Sequence, residues 1–532
     1  MAQFQTRYDA VVVGGGHNGL VAAGYLARAG QSVLLLERNG ELGGATASRR
    51  IFPGMDARLS RYSYLVSLLP REIVDDLGLR FTTRRRAIAS CTPYERDGRP
   101  RALLLSNVDQ ERSRASFAAL AGDDDWRGYG RLLELEHAFA ARVWPSLLRP
   151  LRSRAEWEGS LDTSLERDAW EAFVERPLGE TIERHVRDDL LRGLIFTDGK
   201  IGIFTHPHDE TLLQNRCFIA HVIGHGTGEW QVPVGGMGAL VDALSTSARE
   251  GGAELVAGAP VARIHTGAPR HTVTFRHDGR ELSVEATRVL VNAGPQVFDQ
   301  LLGRPHEDRP ADEGSVCKVN MLLRRLPRLR AGVDPRDAFG GTFHIDESYE
   351  GIRVSYRQAA AGDIPERVPA EIYCHTLTDD SILGPELRDA GYHTLTLFGL
   401  DAPYRLFEAD HDARKAEFLR RYIEGLDRIL ADPIEDCLAV DGDGAPCIEL
   451  KTPQDLEREL ALNQGNIFHG ALSWFFADDA ERAGTWGVDT PYERVYRCGS
   501  SAQRGGAVSG IPGRNAARQI MDELRLEFRP QL

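Results

Sequence analysis

Residues 8–30 read YDAVVVGGGHNGLVAAGYLARAG: an apolar run, three consecutive glycines, then a string of mostly small residues. That order leaves few local structures open. Asp9 to Val13 predicts a fully buried strand, Gly14 to Gly19 a turn, and Leu20 to Ala29 a helix closed by Gly30. Ser32 to Leu36, SVLLL, predicts a second buried strand ending at Glu37. Strand, turn, helix and strand at this spacing form a βαβ unit on a parallel sheet.

Gly14, Gly16 and Gly19 fit GxGxxG. The first allows the tight turn, the second lets backbone approach a pyrophosphate, and the third lets helix and strand pack closely. The helix start offers phosphates its unpaired N–H groups and a positive dipole end. Glu37 stands at the tip of the second strand, where a carboxylate accepts both ribose hydroxyls and disfavours a 2′-phosphate. NAD and FAD remain. Two features select FAD. Gly43-Gly44 lies a short loop beyond Glu37, where flavoproteins of the glutathione-reductase-like fold bring the chain close to the cofactor. Far downstream, VYRCGS predicts another strand and IPGRNAARQIMDELR a helix starting near Pro512. Such a helix start, aimed at the pyrimidine edge of a flavin, stabilises negative charge on the reduced ring. The expected cofactor-binding set is Gly14, Gly16, His17, Asn18, Gly19, Glu37, Arg38, Gly43, Gly44, Ala45, Thr46, Val261, Gly294, Gly499, Ser500, Gly510 and Ile511.

The middle of the chain has another character. Residues 80–224 alternate turn-rich stretches with helical ones such as WRGYGRLLELEHAFAARVW, and residues 311–440 hold strand-like pieces, VCKVNMLL, EIYCHTLT and YHTLTLFGL. Nucleotide-domain features return in the helix-like GGMGALVDALSTSAREGGAEL and the buried run ATRVLVNAGP. The expected fold is α/β: a glutathione-reductase-like, Rossmann-type FAD-binding domain from residues 1–80, 225–300 and 485–532. Inserted in it, residues 81–224 and 301–484 form an α+β substrate-binding domain on an antiparallel sheet.

Charge and cysteine usage exclude other classes. A net charge of −14 and a pI of about 5.7 repel nucleic acid, and the run Arg84-Arg85-Arg86 reads as a solvated face. No apolar stretch is long enough to span a bilayer. MAQFQTRYDA leads straight into the first strand, so the expectation is a cytoplasmic protein without a secretion signal, membrane-peripheral only if its substrate is a lipid. The cysteines are scattered, with no CxxC pair, and read as buried spectators in a reducing compartment.

VVVGGGHNGLVAAGYLARAG, ARLSRYSYLVSLLP, WQVPVGGMGAL, QGNIFHGALS and CGSSAQRGGAVSGIPGRNAA together resemble the phytoene-desaturase-related flavoproteins of the amine oxidase superfamily. The resemblance spans Tyr8 to Met521 and is strongest to the branch named pyridine nucleotide-disulfide oxidoreductase domain-containing protein 2. It implies an FAD-dependent oxidoreductase with a cofactor domain and a substrate domain; relatives desaturate or isomerise long polyenes. Where relatives have His-Pro-Gly-Gly-Gly, this chain has Gln503-Arg504-Gly505-Gly506-Ala507. A guanidinium near the flavin would disfavour a carotenoid and suit a substrate with a carboxylate or other polar end.

The expected function is dehydrogenation of a mainly apolar, lipophilic small molecule by hydride transfer to flavin, which needs no catalytic triad. Candidate catalytic residues are His469, Arg504 and Tyr62; Tyr64 is a further candidate for the substrate side. For His469 a structural role, and for Tyr62 and Tyr64 ordinary core packing, is the competing reading. THPHDE superficially suggests a metal cluster but lacks a second ligand group at suitable spacing, so no metal is expected. Gly235-Gly236-Met237-Gly238 follows no buried strand and reads as a helix start. Without a second dinucleotide site, oxygen or a quinone is the expected electron acceptor. The alternatives are reduced-FAD-dependent polyene isomerisation and a non-catalytic escort or dissociation-inhibitor role.

Overall fold

The computed structural model describes residues 4–528. Arg7–Val13 forms a strand whose last four residues are all buried, and Val33–Leu36 runs parallel beside it. The chain between them is helical from His17 to Arg28. The turn is therefore shorter than the sequence implies: His17, Asn18 and Gly19 already belong to the helix. Parallel strands Glu254–Val256 and Arg280–Val291 flank this pair, and Val495–Arg497 pairs parallel with the end of Arg280–Val291. The first half of Arg280–Val291 pairs instead with His271–His277, which pairs with Val261–His265 as an antiparallel extension. Three distant stretches of chain thus meet in one seven-stranded sheet.

Small residues let the helices of this layer approach one another closely. A Cβ added to Gly24 would sit 3.9 Å from Ala248 Cα on the helix Met237–Glu250, and one on Gly513 only 2.0 Å from the Asn18 carbonyl oxygen. The C-terminal helix, Ile511–Leu524, is packed against the first helix along that contact.

The second sheet also has seven strands, in the order 448–451, 317–323, 393–399, 370–373, 342–345, 88–96 and 99–106. It corrects two expectations. Thr342–Ile345 runs parallel to Ile88–Arg96, so the sheet is mixed rather than antiparallel. Its edge is a hairpin, Ile88–Arg96 with Arg99–Ser106, in a region read above as turns and helices. Asp97 and Gly98 turn that hairpin at φ 53° and 68°, the left-handed geometry of a tight two-residue connection. The helix Asp123–Val143 carries three aspartates in its first turn and Arg142 in its last, matching its dipole.

All seven cysteines are buried free thiols. Among the described residues, no helix is long and apolar enough to cross a membrane.

Candidate active site

A cavity of about 660 Å³ runs from the glycine turn of the first sheet to the face of the second. At the first end Gly14 has φ +99°, and a Cβ there would lie 2.5 Å from the Asn292 carbonyl oxygen. A Cβ on Gly19 would fall 2.1 Å from the Gly14 carbonyl oxygen. Asn292, at the end of the buried strand, donates its Nδ2 to that same Gly14 carbonyl at 3.1 Å. Glu37 accepts the amides of Gly15 at 2.7 Å and Asn39 at 2.8 Å. The first helix has no side-chain cap and no acidic residue in its first turn, so its positive end faces the cavity uncompensated. His17 Nε2 and Asn18 Oδ1 lie there buried without hydrogen-bond partners. These features suit an anionic dinucleotide: donors at a bare helix start, room where side chains are missing, and a carboxylate for hydroxyls.

The glycine loop before Met237 is built differently. Asp379 accepts the Gly235 amide at 2.8 Å, Ser60 that of Met237 at 3.0 Å and Ser48 that of Gly238 at 2.8 Å. Its donors are spent on protein, leaving none free to cradle phosphate.

Of the residues expected at the cofactor, Gly14, Gly16, His17, Asn18, Glu37, Arg38, Gly44, Ala45, Val261, Gly294 and Ser500 line the cavity. Gly19, Gly43, Thr46 and Gly499 do not line it but shape its wall; Thr46 Oγ1 donates to the Gly43 carbonyl at 2.6 Å. Gly510 and Ile511 are not on its surface either. Ala507 and Val508, just ahead of the C-terminal helix, take that place.

Tyr62, Tyr64 and His469 line the cavity. The Tyr62 hydroxyl donates to Glu459 at 2.6 Å, and burial holds its pKa above the usual phenol value. His469 adopts φ 64° in a loop where its amide donates to the Asn466 carbonyl at 2.9 Å. Burial lowers it to about 4; burial and the neighbouring His469 charge lower His17 to about 4 as well, so both imidazoles are neutral at pH 7.

Arg504 corrects the sequence reading. Its guanidinium does not reach the cavity but donates to the carbonyls of Ser146 at 3.1 Å, Trp486 at 2.9 Å and Arg149. It ties the C-terminal segment to the helical region, and the argument for a carboxylate-bearing substrate falls with it. The HPHDE stretch is likewise structural: His208 Nε2 meets Glu183 at 2.8 Å, and Asp209 holds Thr205 and Thr211.

The other end of the cavity holds groups the sequence did not single out. Tyr129, Leu133 and Glu136 reach it from one helix at i, i+4 and i+7 spacing. Asp198, His344, Glu371 and Tyr373 complete a polar wall, while Leu194, Ile195, Phe218 and Phe468 are apolar. Burial, reinforced by Asp198, pushes Glu136 up to about 8; burial pushes Asp198 up to about 6. Glu371 is raised to about 8, first by burial and then by Glu347.

Between the two ends sits Lys318, on the strand Cys317–Leu323. Its Nζ donates to the Ser60 carbonyl at 2.8 Å and lies 4.9 Å from the centroid of the Tyr64 ring. Burial drives its pKa well below the ordinary lysine value. An amine so placed is a buried group at the cavity rather than a surface charge. The sequence held one signal, a lysine inside a mostly apolar strand in a chain rich in arginine.

A family model described as flavin containing amine oxidoreductase matches residues 19–431. The chain belongs to that family. It is therefore an FAD-dependent oxidoreductase. An uncharacterized protein of Mycobacterium tuberculosis is 45% identical over 98% of both chains. The mouse protein named pyridine nucleotide-disulfide oxidoreductase domain-containing protein 2 is 30% identical over 98% of this chain and 95% of its own. A structure of putrescine oxidase bound to putrescine shares the fold with a TM-score of 0.56 at 18% identity, covering 98% of this chain and 99% of that one. Within this amine oxidoreductase fold, the bare helix start, Glu37 and the glycine cradle are the residues that fit FAD.

Proposed function

We propose that this flavoprotein dehydrogenates a mainly apolar organic molecule, with loss of one hydride and one proton from adjacent atoms of the substrate. Bound FAD supplies the hydride acceptor, and oxygen or a quinone then takes the electrons. Gly16, Glu37, His17 and Asn18 hold the cofactor end. Leu194, Ile195 and Phe218 desolvate and orient the apolar part of the substrate. Lys318 Nζ, facing the same cavity with burial disfavouring its charged form, receives the departing proton. The observation that carries the reading is one continuous cavity joining the cofactor cradle, the buried amine and an apolar wall.

The fully occupied Gly235–Gly238 loop supports an acceptor other than a second bound nicotinamide. Anaerobic mixing of the flavoprotein with lipophilic hydrocarbons, alcohols and amines tests the proposal. The expected result is bleaching of the flavin without added reductant and a product with one more double bond. A substrate that rearranges only when the flavin has first been reduced would replace dehydrogenation by isomerisation.

A further inference from the structure

His344 and Glu371 stand directly opposite each other on neighbouring antiparallel strands, so both side chains leave the sheet on one face. Glu347 follows three residues after His344, where the chain turns from that strand toward the helix Tyr349–Ala360. One ligand atom from each of the three lies within 4.8 Å of the other two, and all three residues are buried. Such convergence is the span of a single ion's coordination shell after small side-chain adjustments.

Their present hydrogen bonds do not use up their donor capacity. His344 Nδ1 meets one carboxylate oxygen of Glu347, and Glu371 accepts from the Tyr373 hydroxyl. The second oxygen of Glu347, on a residue only 2% exposed, makes no well-formed hydrogen bond; the Thr197 hydroxyl is the one donor beside it. A buried carboxyl oxygen left in this state has room to ligate a cation.

We propose that His344, Glu347 and Glu371 bind one divalent first-row metal ion, zinc or manganese, in the wall of the cavity. One imidazole nitrogen and two carboxylates suit these borderline-to-hard ions. His344 and Glu371 line the cavity whereas Glu347 lies behind them, so the ion's remaining position opens toward Asp198 and the cavity interior. That arrangement also separates a metal from an organic ammonium. A substrate amine in the cavity reaches Glu371 but not the sealed Glu347, while a bare ion seated among the three reaches all of them. The site is independent of how the flavin reaction is read.

The test is metal content of the intact flavoprotein. Protein treated with EDTA is incubated separately with Zn²⁺ and Mn²⁺, desalted, and assayed for metal and flavin by mass spectrometry and absorbance. About one equivalent of one ion per chain is expected, retained in His208→Ala, whose histidine belongs to the superficially metal-like loop. Glu371→Gln, nearly isosteric, is expected to retain at least about ten-fold less at unchanged flavin content. X-ray absorption of the loaded wild type, which needs no variant to fold, is expected to show mixed nitrogen and oxygen ligation. Wild-type protein that keeps no metal overturns the proposal, as does equal retention by Glu371→Gln. So does a Glu371-dependent flavin spectral response to 1,4-diaminobutane without any metal retention, which would make the cluster an ammonium subsite.

Discussion

The Glu37 carboxylate accepts the Gly15 amide at 2.7 Å, tying the end of the second strand to the glycine turn. Its other oxygen holds the Asn39 amide at 2.8 Å. One side chain therefore sets the turn and places a carboxylate on the cavity, where the hydroxyls of the proposed cofactor would meet it. Glu37→Ala is expected to raise the dissociation constant for FAD roughly ten- to hundred-fold, the scale of losing one or two charge-assisted hydrogen bonds. Flavin fluorescence on titration of the deflavinated variant measures it; wild-type affinity would remove Glu37 from the site.

Arg504 separates structural from chemical roles. With its guanidinium on three carbonyls, and burial ahead of Arg514 pushing it down to about 9, Arg504→Met leaves those acceptors unpaired. A loss of about 2–4 kcal/mol in unfolding free energy is expected by urea titration. The flavin spectrum and substrate-driven bleaching rate are expected to stay as in wild type.

The contrast between Glu37 and Arg504 shows what the sequence could disclose. The glycine turn, the first helix and Glu37 are contiguous, and their geometry follows from local sterics and helix-start chemistry. Arg504 sits in an equally glycine-rich segment, but which carbonyls meet it depends on residues more than three hundred positions upstream. The same holds for the polar end of the cavity. His344 and Glu371 face each other through strand register, and nothing local announces which strands pair. The hairpin at 88–106 was more legible: its Asp97-Gly98 turn between apolar-containing runs is a hairpin signal.

Lys318→Met tests the proposed proton acceptor. Methionine fills similar volume and removes an amine whose charged form burial disfavours, while giving up the hydrogen bond to the Ser60 carbonyl, so the expected melting temperature is close to that of wild type. Flavin content is expected to hold while substrate-driven bleaching slows about a hundred-fold, a typical general-base contribution. Stopped-flow absorbance distinguishes that outcome from a binding defect.

His17 and His469 make acid sensitivity specific. Each titrates near 4 when folded against about 6.5 when unfolded, so the unfolded chain binds more protons between those values. Their contribution is complete above pH 6.5 and is lost as pH falls toward 4. Replacing His469 by Gln removes one of these terms, on the order of 3 kcal/mol at full extent. Relative to wild type, His469→Gln is therefore expected to gain stability as pH drops from 7 to about 4.5. Parallel pH profiles of melting temperature would rule this out.

Gly16 and Gly19 are expected to fail in different ways when changed to alanine. At Gly19 the new Cβ would lie 2.9 Å from Asn292 Nδ2 and only 2.1 Å from the Gly14 carbonyl oxygen, a backbone atom held by the strand before it. The helix cannot retreat, because Gly513 already brings the C-terminal helix against Asn18. Gly19→Ala is expected to cost more than about 4 kcal/mol and to yield little folded protein. At Gly16 the new Cβ meets Asn292 Nδ2 at 3.2 Å and the Gly43 carbonyl only at 4.0 Å, which a small side-chain shift absorbs. Its methyl group would stand in the cradle between the turn and the Gly43–Gly44 loop. Gly16→Ala is expected to fold with near-wild-type circular dichroism and to be purified colourless, and a yellow protein would show that FAD does not approach the chain there.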